Sequence, residues 1–264
     1  MLLFLKTVIF KLMEMSLGLR PLLPLATRNP VFVNFRLDAV ERARVESALP
    51  AGFELRPLRF MDGDAEPAFW VSYNLYAIGY PRPELAGVKK ARCEINTFVR
   101  GPDGREGVFV FCGSPYVSRE MEGSFFGKLC DAAEKLVVLL YGCGRLTTLR
   151  YEVAADRLAI ALAEDRNEVA LDLPLAAEAP AEARLSDDYA GFNDVSFFNG
   201  GRTFDLVHID SAFGRARFQA VDAGALATAR IAGPFFDRSP DAVYLHRGEI
   251  SYLVSALHRV PRSA

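Results

Sequence analysis

Between residues 30 and 111 the chain runs in short apolar and aromatic segments with a period of two, each closed by Pro or Gly, and this pattern restricts it to a strand-built fold. Residues 31–35 (Val-Phe-Val-Asn-Phe) read as a strand. Asp38 then reads as the N-cap of a short helix over 39–49, with Val40, Val45 and Leu49 on one side, stopped by Pro50-Ala51-Gly52. Residues 53–60 and 68–78 follow as strands, the second carrying Phe69, Trp70, Tyr73 and Tyr76. Residues 92–100 and 107–112 flank Gly101-Pro102-Asp103-Gly104, a turn that makes them a hairpin.

Helical spacing appears once more in this part of the chain, where Phe126, Leu129, Cys130, Ala133, Leu136, Val137 and Leu140 predict a helix from about 125 to 141, ending at Gly142. Strands resume over 145–153, 157–163 and 168–173 as a meander, and then over 204–209, 214–221 and 242–257. The Ala/Pro/Glu-rich stretch 174–184 reads as a loop between these groups. Many strands with few helices predict a mainly β (α+β) fold: a closed antiparallel β-barrel with a few flanking helices and an N-terminal helix. Such a barrel encloses a cavity, and aromatic lining makes it a small-molecule site.

Composition narrows the partner. The 264 residues contain no Ser-, Gln- or Pro-rich linker, which favours one large domain over 28–264 preceded by an extension, 1–27. Net charge is −2, and the 31 basic residues are scattered, so the basic stripe of a nucleic-acid binder is absent from the sequence. Cys93, Cys112, Cys130 and Cys143 form no CxxC pair, which disfavours a structural zinc or redox site and suits buried thiols in the reducing cytoplasm. Residues 1–25 are apolar but interrupted by Lys6, Lys11, Glu14 and Arg20, too often for a bilayer crossing of about 20 apolar residues. They read as an amphipathic helix, packed on the domain or across a homo-oligomer interface; peripheral membrane contact is the second reading.

Several motifs within this frame carry a family resemblance. The strand ending Asn34-Phe35-Arg36-Leu37-Asp38, the turn Leu49-Pro50-Ala51-Gly52-Phe53-Glu54-Leu55, and the pair Glu94-Ile95-Asn96-Thr97-Phe98-Val99-Arg100 and Gly107-Val108-Phe109-Val110-Phe111 resemble the acetoacetate decarboxylase-like superfamily, nearest its poorly characterised branch. The resemblance implies that superfamily's β fold and an enzyme that needs no cofactor or metal. It further implies carbon–carbon bond chemistry, as of a lyase, on a hydrophobic oxo-compound, with a lysine forming a Schiff base. Arg36-Leu37-Asp38 matches the family's Arg-x-Asp, Arg119-Glu120 its Arg-Glu, and Lys128 in part its lysine pair. Here one lysine stands where the family has two, and seven residues rather than five separate Glu120 from Lys128. A Schiff-base lysine must be neutral, so its pKa must fall several units from about 10.4 by desolvation or a neighbouring cation.

On this reading Lys128 is the amine, Arg36 the carboxylate clamp, and Glu94 or Glu120 the proton shuttle. Trp70, Tyr73, Tyr76, Tyr116 and Arg119 are the candidate substrate contacts. Glu94 faces inward only if Cys93 and Ile95 face out, and the sequence allows either register. The alternative is a barrel that binds, isomerises or cyclises a lipid-like ligand without covalent catalysis. His208, His246 and His258 lie in separate strands with no metal-ligand spacing, and no glycine motif marks a dinucleotide or a serine nucleophile.

Overall fold

The computed structural model describes residues 22–79, 90–117, 146–164, 167–175, 183–199, 203–209, 215–221, 223–226, 229–232, 235–255 and 258–259. Strand β1 (Leu22–Arg36) begins nine residues before the strand expected at Val31 and organises the fold by pairing on both edges. One edge holds β3 (Trp70–Gly79). Along the other edge β15 (Glu249–Ser255) pairs with the first half of β1 and β14 (Ala242–Leu245) with the second. The change of partner falls at a bulge between Arg28 and Val31, where Asn29 has a φ of 47° and its side chain accepts a hydrogen bond from Gly248 N at 3.0 Å. Asn is among the few non-glycine residues that enter this left-handed region readily. Gly248, with a φ of 141°, turns the chain between β14 and β15, so the run expected over 242–257 is two strands.

Helix α1 (Ala39–Ala48) starts as the sequence predicts. Asp38 accepts from Val40 N and Glu41 N, both at 2.8 Å, while Glu41 accepts from Asp38 N at 3.2 Å, a reciprocal capping box. Val45 is buried, but Val40 is 69% exposed and faces away from the core. Replacing Asp38 with Ala therefore costs about 1 kcal/mol of stability, measurable by chemical denaturation, and Asp38→Asn keeps most of it.

Beyond α1 only Glu54–Leu55 (β2) of the expected strand 53–60 is ladder-paired, to β4 (Lys90–Arg100). Pro57 has no N–H to extend that ladder, and Leu58 bridges Ala68 instead. The hairpin of β4 with β5 (Glu106–Val117) forms as expected. The meander β6 (Leu146–Val153), β7 (Arg157–Glu164) and β8 (Asn167–Pro174) forms as expected too, with β13 (Arg230–Ala232) added beside β8. The remaining elements are β9 (Ala183–Arg184), α2 (Asp187–Phe192), β10 (Val195–Asn199), β11 (Thr203–Ile209), β12 (Arg217–Ala220), α3 (Ala223–Leu226) and β16 (His258–Arg259).

These strands overturn the closed antiparallel barrel expected from sequence. They divide between a twelve-stranded sheet, ordered β15-β11-β10-β5-β4-β3-β1-β14-β12-β9 with β2 on β4 and β16 on β11, and a separate four-stranded sheet, β13-β8-β7-β6. The larger sheet runs on past β1 through β14 and β12 to β9, and its β5–β10 ladder is parallel. At that ladder a Cβ on Gly107 would lie 2.6 Å from Val195 O, so close approach demands glycine there. The fold is mostly strand with few helices, as expected.

The large sheet is covered on both faces, which explains why its strands read as nearly continuous apolar runs. Val31, Val33, Phe35, Val71, Tyr73, Leu75, Cys93 and Ile95 pack with Leu158, Ile160, Val169, Leu171 and Leu173 of β7 and β8. The opposite face presents Phe32, Phe98, Val108 and Val110 to Phe60, Leu185, Tyr189, Phe192 and Phe218. Arg247 ties the sheets together, donating at 2.8 Å to both Ala154 O and Ala155 O in the β6–β7 turn.

Candidate acid-base site

The second face carries a polar seam through its aromatic packing. Cross-strand register sets Asn34 of β1 beside Ser72 of β3 and Ser72 beside Asn96 of β4; the next row is Phe32, Asn74 and Glu94. Because alternate residues share a face, Ser72, Asn74 and Tyr76 lie together on β3, while Val71, Tyr73 and Leu75 enter the other core. Cys93 and Ile95 point into that core rather than out, the reverse of the register that would turn Glu94 inward, and Glu94 lies half-buried on the seam of the other face.

Glu94 is held at both carboxylate oxygens. Tyr76 Oη donates to Oε1 at 2.9 Å and Asn96 Nδ2 to Oε2 at 3.3 Å. Asn74, Tyr76 and Glu94 are half-buried, whereas Asn34, Ser72 and Asn96 are buried. The seam is thus closed at its Asn34 end and more open at Glu94. Beneath it lies Tyr189, 1% exposed, on α2. Ser186 caps that helix by accepting from Tyr189 N at 3.0 Å while its hydroxyl donates to Arg59 O, so a short helix is pinned against the sheet. The Tyr189 ring contacts Phe60, Phe98 and Phe32 at centroid distances of 4.8, 5.6 and 5.8 Å.

Burial pushes the Tyr189 phenol well above its ordinary 10.0; the Glu94 charge adds to the rise, and a hydrogen bond from Asn74 works against it. Burial, with a smaller contribution from Asp64, pushes Tyr244 up to about 12. In the unfolded chain both phenols ionise near 10.0, while the fold holds their protons above it, so their contribution is complete below pH 10.0 and lost as pH rises past it. The melting temperature is accordingly expected to hold below pH 10.0 and to fall from there upward, less steeply in Tyr189→Phe; an equal slope in that variant refutes the assignment.

The other residues expected from sequence are distributed as follows. Arg36 stands at the exposed end of β1, opposite Trp70. It lies two strands and four register steps from Glu94, about 16 Å at the usual ~4.8 Å and ~3.3 Å spacings, too far to clamp a small substrate held there. Its backbone belongs to a structural joint: Arg36 N donates to Asp241 at 2.7 Å, and Arg238 donates to Arg36 O at 2.9 Å. Asp38, the other half of the Arg-x-Asp motif, caps α1.

The aromatics of β3 do not converge. Trp70 donates Nε1–H to Leu58 O at 3.1 Å; Tyr73 is fully buried in the opposite core against Phe35; only Tyr76 reaches Glu94. Tyr116 takes the register position opposite Ala91 on β5. Lys128, Arg119 and Glu120 lie outside the described residues, as do the helix expected over 125–141 and the amphipathic stretch up to residue 21. Among the described residues no cluster of His, Cys, Asp and Glu is arranged to hold a metal, and no helix is long and apolar enough to cross a membrane.

Ser72, Asn74 and Tyr189 were not legible as site residues. Their signal was the regular placement of polar residues opposite the buried positions of β3, and the Ser186-Asp187-Asp188 cap that announces α2.

The architecture is mostly β, with a carboxylate and phenols on an aromatic sheet face. Among solved structures the chain is similar to an acetoacetate decarboxylase-like enzyme from Sphingomonas wittichii RW1, with 13% sequence identity over 91% of this chain and 92% of that one and a TM-score of 0.49. At that identity no residue role passes from one protein to the other. No protein-family model matches the chain, and no curated protein does.

Proposed function

We propose that this protein is a small-molecule enzyme of the acetoacetate decarboxylase-like type that acts on a hydrophobic oxo-compound by acid–base chemistry centred on Glu94. The observation that carries the reading is the Glu94 carboxylate, fixed at both oxygens by Tyr76 and Asn96 and set among aromatic rings. Fixed donors leave the carboxylate one orientation, the condition for a general base. Glu94 takes a proton from the carbon next to the substrate carbonyl, and the C–H electron pair moves onto the carbonyl oxygen as an enolate. The proton returns to the same or a conjugated carbon, so the overall change is exchange or isomerisation.

Cyclohexanone incubated with the protein in D2O tests this. The proton signals beside the carbonyl should disappear faster than in protein-free buffer, and exchange no faster than buffer between about pH 6 and 9 sinks the reading.

The lysine route is the second reading, favoured by the Arg119-Glu120 and Lys128 motif. Borohydride distinguishes the two: a permanent mass gain on Lys128 in the presence of ketone supports a Schiff base and lyase chemistry, and exchange with no mass gain supports Glu94 acting alone. A non-covalent binder of a lipid-like ligand would release an apolar molecule on denaturation and show neither. A cytoplasmic setting, a homo-oligomer and peripheral membrane contact through residues 1–25 belong to the same proposal.

A further inference from the structure

Asn74 is the polar neighbour of Glu94 across the sheet. Antiparallel register sets Asn74 of β3 directly opposite Glu94 of β4, which brings their Cβ atoms to about 4.5–5.5 Å and their polar ends onto one face. Both are half-buried, so a ligand lying on the seam can touch the two together without entering the closed core.

The orientation of the Asn74 amide follows from Ser72. Ser72 Oγ lies 2.6 Å from Asn34 Oδ1 and 2.7 Å from Asn74 Oδ1, yet its hydroxyl has one proton and serves one acceptor at a time. Asn34 is fully buried, and its Nδ2 has no hydrogen-bond partner among the described residues. Turning the Asn34 amide over gives that nitrogen the Ser72 oxygen as acceptor and frees the Ser72 proton for Asn74 Oδ1. What is left over at Asn34 is a carbonyl oxygen, which protein interiors leave unpaired more readily than an N–H. Turning Asn74 over instead would leave Asn34 Nδ2 stranded. Ser72 therefore holds the Asn74 oxygen, and the Asn74 nitrogen is the end left for contacts beyond Ser72. That nitrogen carries two hydrogens, so a bond to Tyr189 still leaves one for a ligand.

We propose that Asn74 is the oxyanion donor of the site: its Nδ2–H hydrogen-bonds the oxygen of an oxo-compound lying on the seam while Glu94 takes the proton from the adjacent carbon, and Ser72 is the positioning residue that sets the amide in this sense. This rests on the function proposed above. The oxygen and the carbon that loses its proton are bonded to the same carbonyl carbon, a span that two side chains at cross-strand spacing can cover. As the C–H electron pair moves onto the oxygen, the fixed N–H stabilises the charge that develops there, and reprotonation of carbon returns both side chains to their starting state.

Exchange of cyclohexanone in D2O should fall about 10²–10³-fold in kcat in Asn74→Ala, with KM little changed. Asn74→Asp, which keeps the shape and the acceptor for Ser72 but has no N–H, should fall at least as far. Ser72→Ala removes only the bond that orients the amide, so its kcat should fall by less than the roughly 10²-fold that misplacing a catalytic group can cost. A second readout is independent of turnover. In Glu94→Gln, whose neutral amide stands in for the protonated base, p-nitrophenolate should bind with a shift of its absorption band, and adding Asn74→Ala should weaken that binding about 10–100-fold, the worth of one hydrogen bond to a charged oxygen. Exchange within about twofold of native in both Asn74 variants, while Glu94→Gln loses it, overturns the donor and leaves the acid–base function standing. No phenolate binding, or equal affinity with and without Asn74→Ala, overturns the donor as well. A Ser72→Ala protein with native kcat overturns the positioning role. If the native protein gives no exchange, the function and the donor fall together.

Discussion

Phe60→Ala is expected to lower stability by about 3–5 kcal/mol and the melting temperature by roughly 6–20 °C for a chain of this size. Phe60 is fully buried where five rings from separate elements meet: Tyr189, Phe32, Phe98, Tyr244 and Trp70, at 4.8, 5.6, 6.0, 6.0 and 6.1 Å. Those rings belong to α2, β1, β4, β14 and β3, each pinned by its own ladder or cap, so none can move in to fill the space. Phe60 also stands where the chain is tied by its backbone: its N–H donates to Asp64 at 2.8 Å and its carbonyl accepts from Ser186 N at 3.1 Å. The Ala variant keeps those bonds, which isolates the ring as the quantity measured. Val40→Ala, at an exposed position on α1, should shift stability by no more than about 0.5 kcal/mol and serves as the comparison. A Phe60→Ala unfolding free energy, from urea denaturation, within about 1 kcal/mol of native would mean that this aromatic cluster is not the second core.

What could be read from the sequence follows from how local each determinant is. The Asp38 cap, the Gly101-Pro102-Asp103-Gly104 hairpin and the β6–β8 meander are settled by residues within a few positions of each other, and the structure places them as expected. The sheet arrangement is settled by contacts far apart in the chain, and there the expectation of a closed antiparallel barrel failed. Nothing near Gly107 or Val195 announces that β5 and β10 run parallel, and nothing near Asn29 announces that β1 changes neighbour in its middle. The same distinction holds at the site. Glu94 was legible as a candidate because the pattern of β4 is local, but its direction required knowing which face the small sheet covers. Tyr189 reaches the seam from 95 positions further along the chain than Glu94, and Arg36, close to the motif residues in sequence, is drawn instead into the joint with Arg238 and Asp241.

Glu94→Gln is expected to reduce exchange of cyclohexanone by about 10²–10⁴-fold, the range for loss of a general base. The substitution preserves length and shape, so the question is what the lost charge does to its two donors. A glutamine there can accept from Asn96 Nδ2 with its amide oxygen and donate its nitrogen to Tyr76 Oη, because a phenol oxygen accepts as well as donates. Both contacts are kept, so stability should stay within about 0.5 kcal/mol of native while the rate falls. Tyr76→Phe removes one donor and keeps the base, so its rate should fall far less than that of Glu94→Gln. The ranking of the two variants is the decisive readout. If Tyr76→Phe lost as much rate as Glu94→Gln, the phenol would be the reacting group and the carboxylate its support, reversing the roles assigned along the seam.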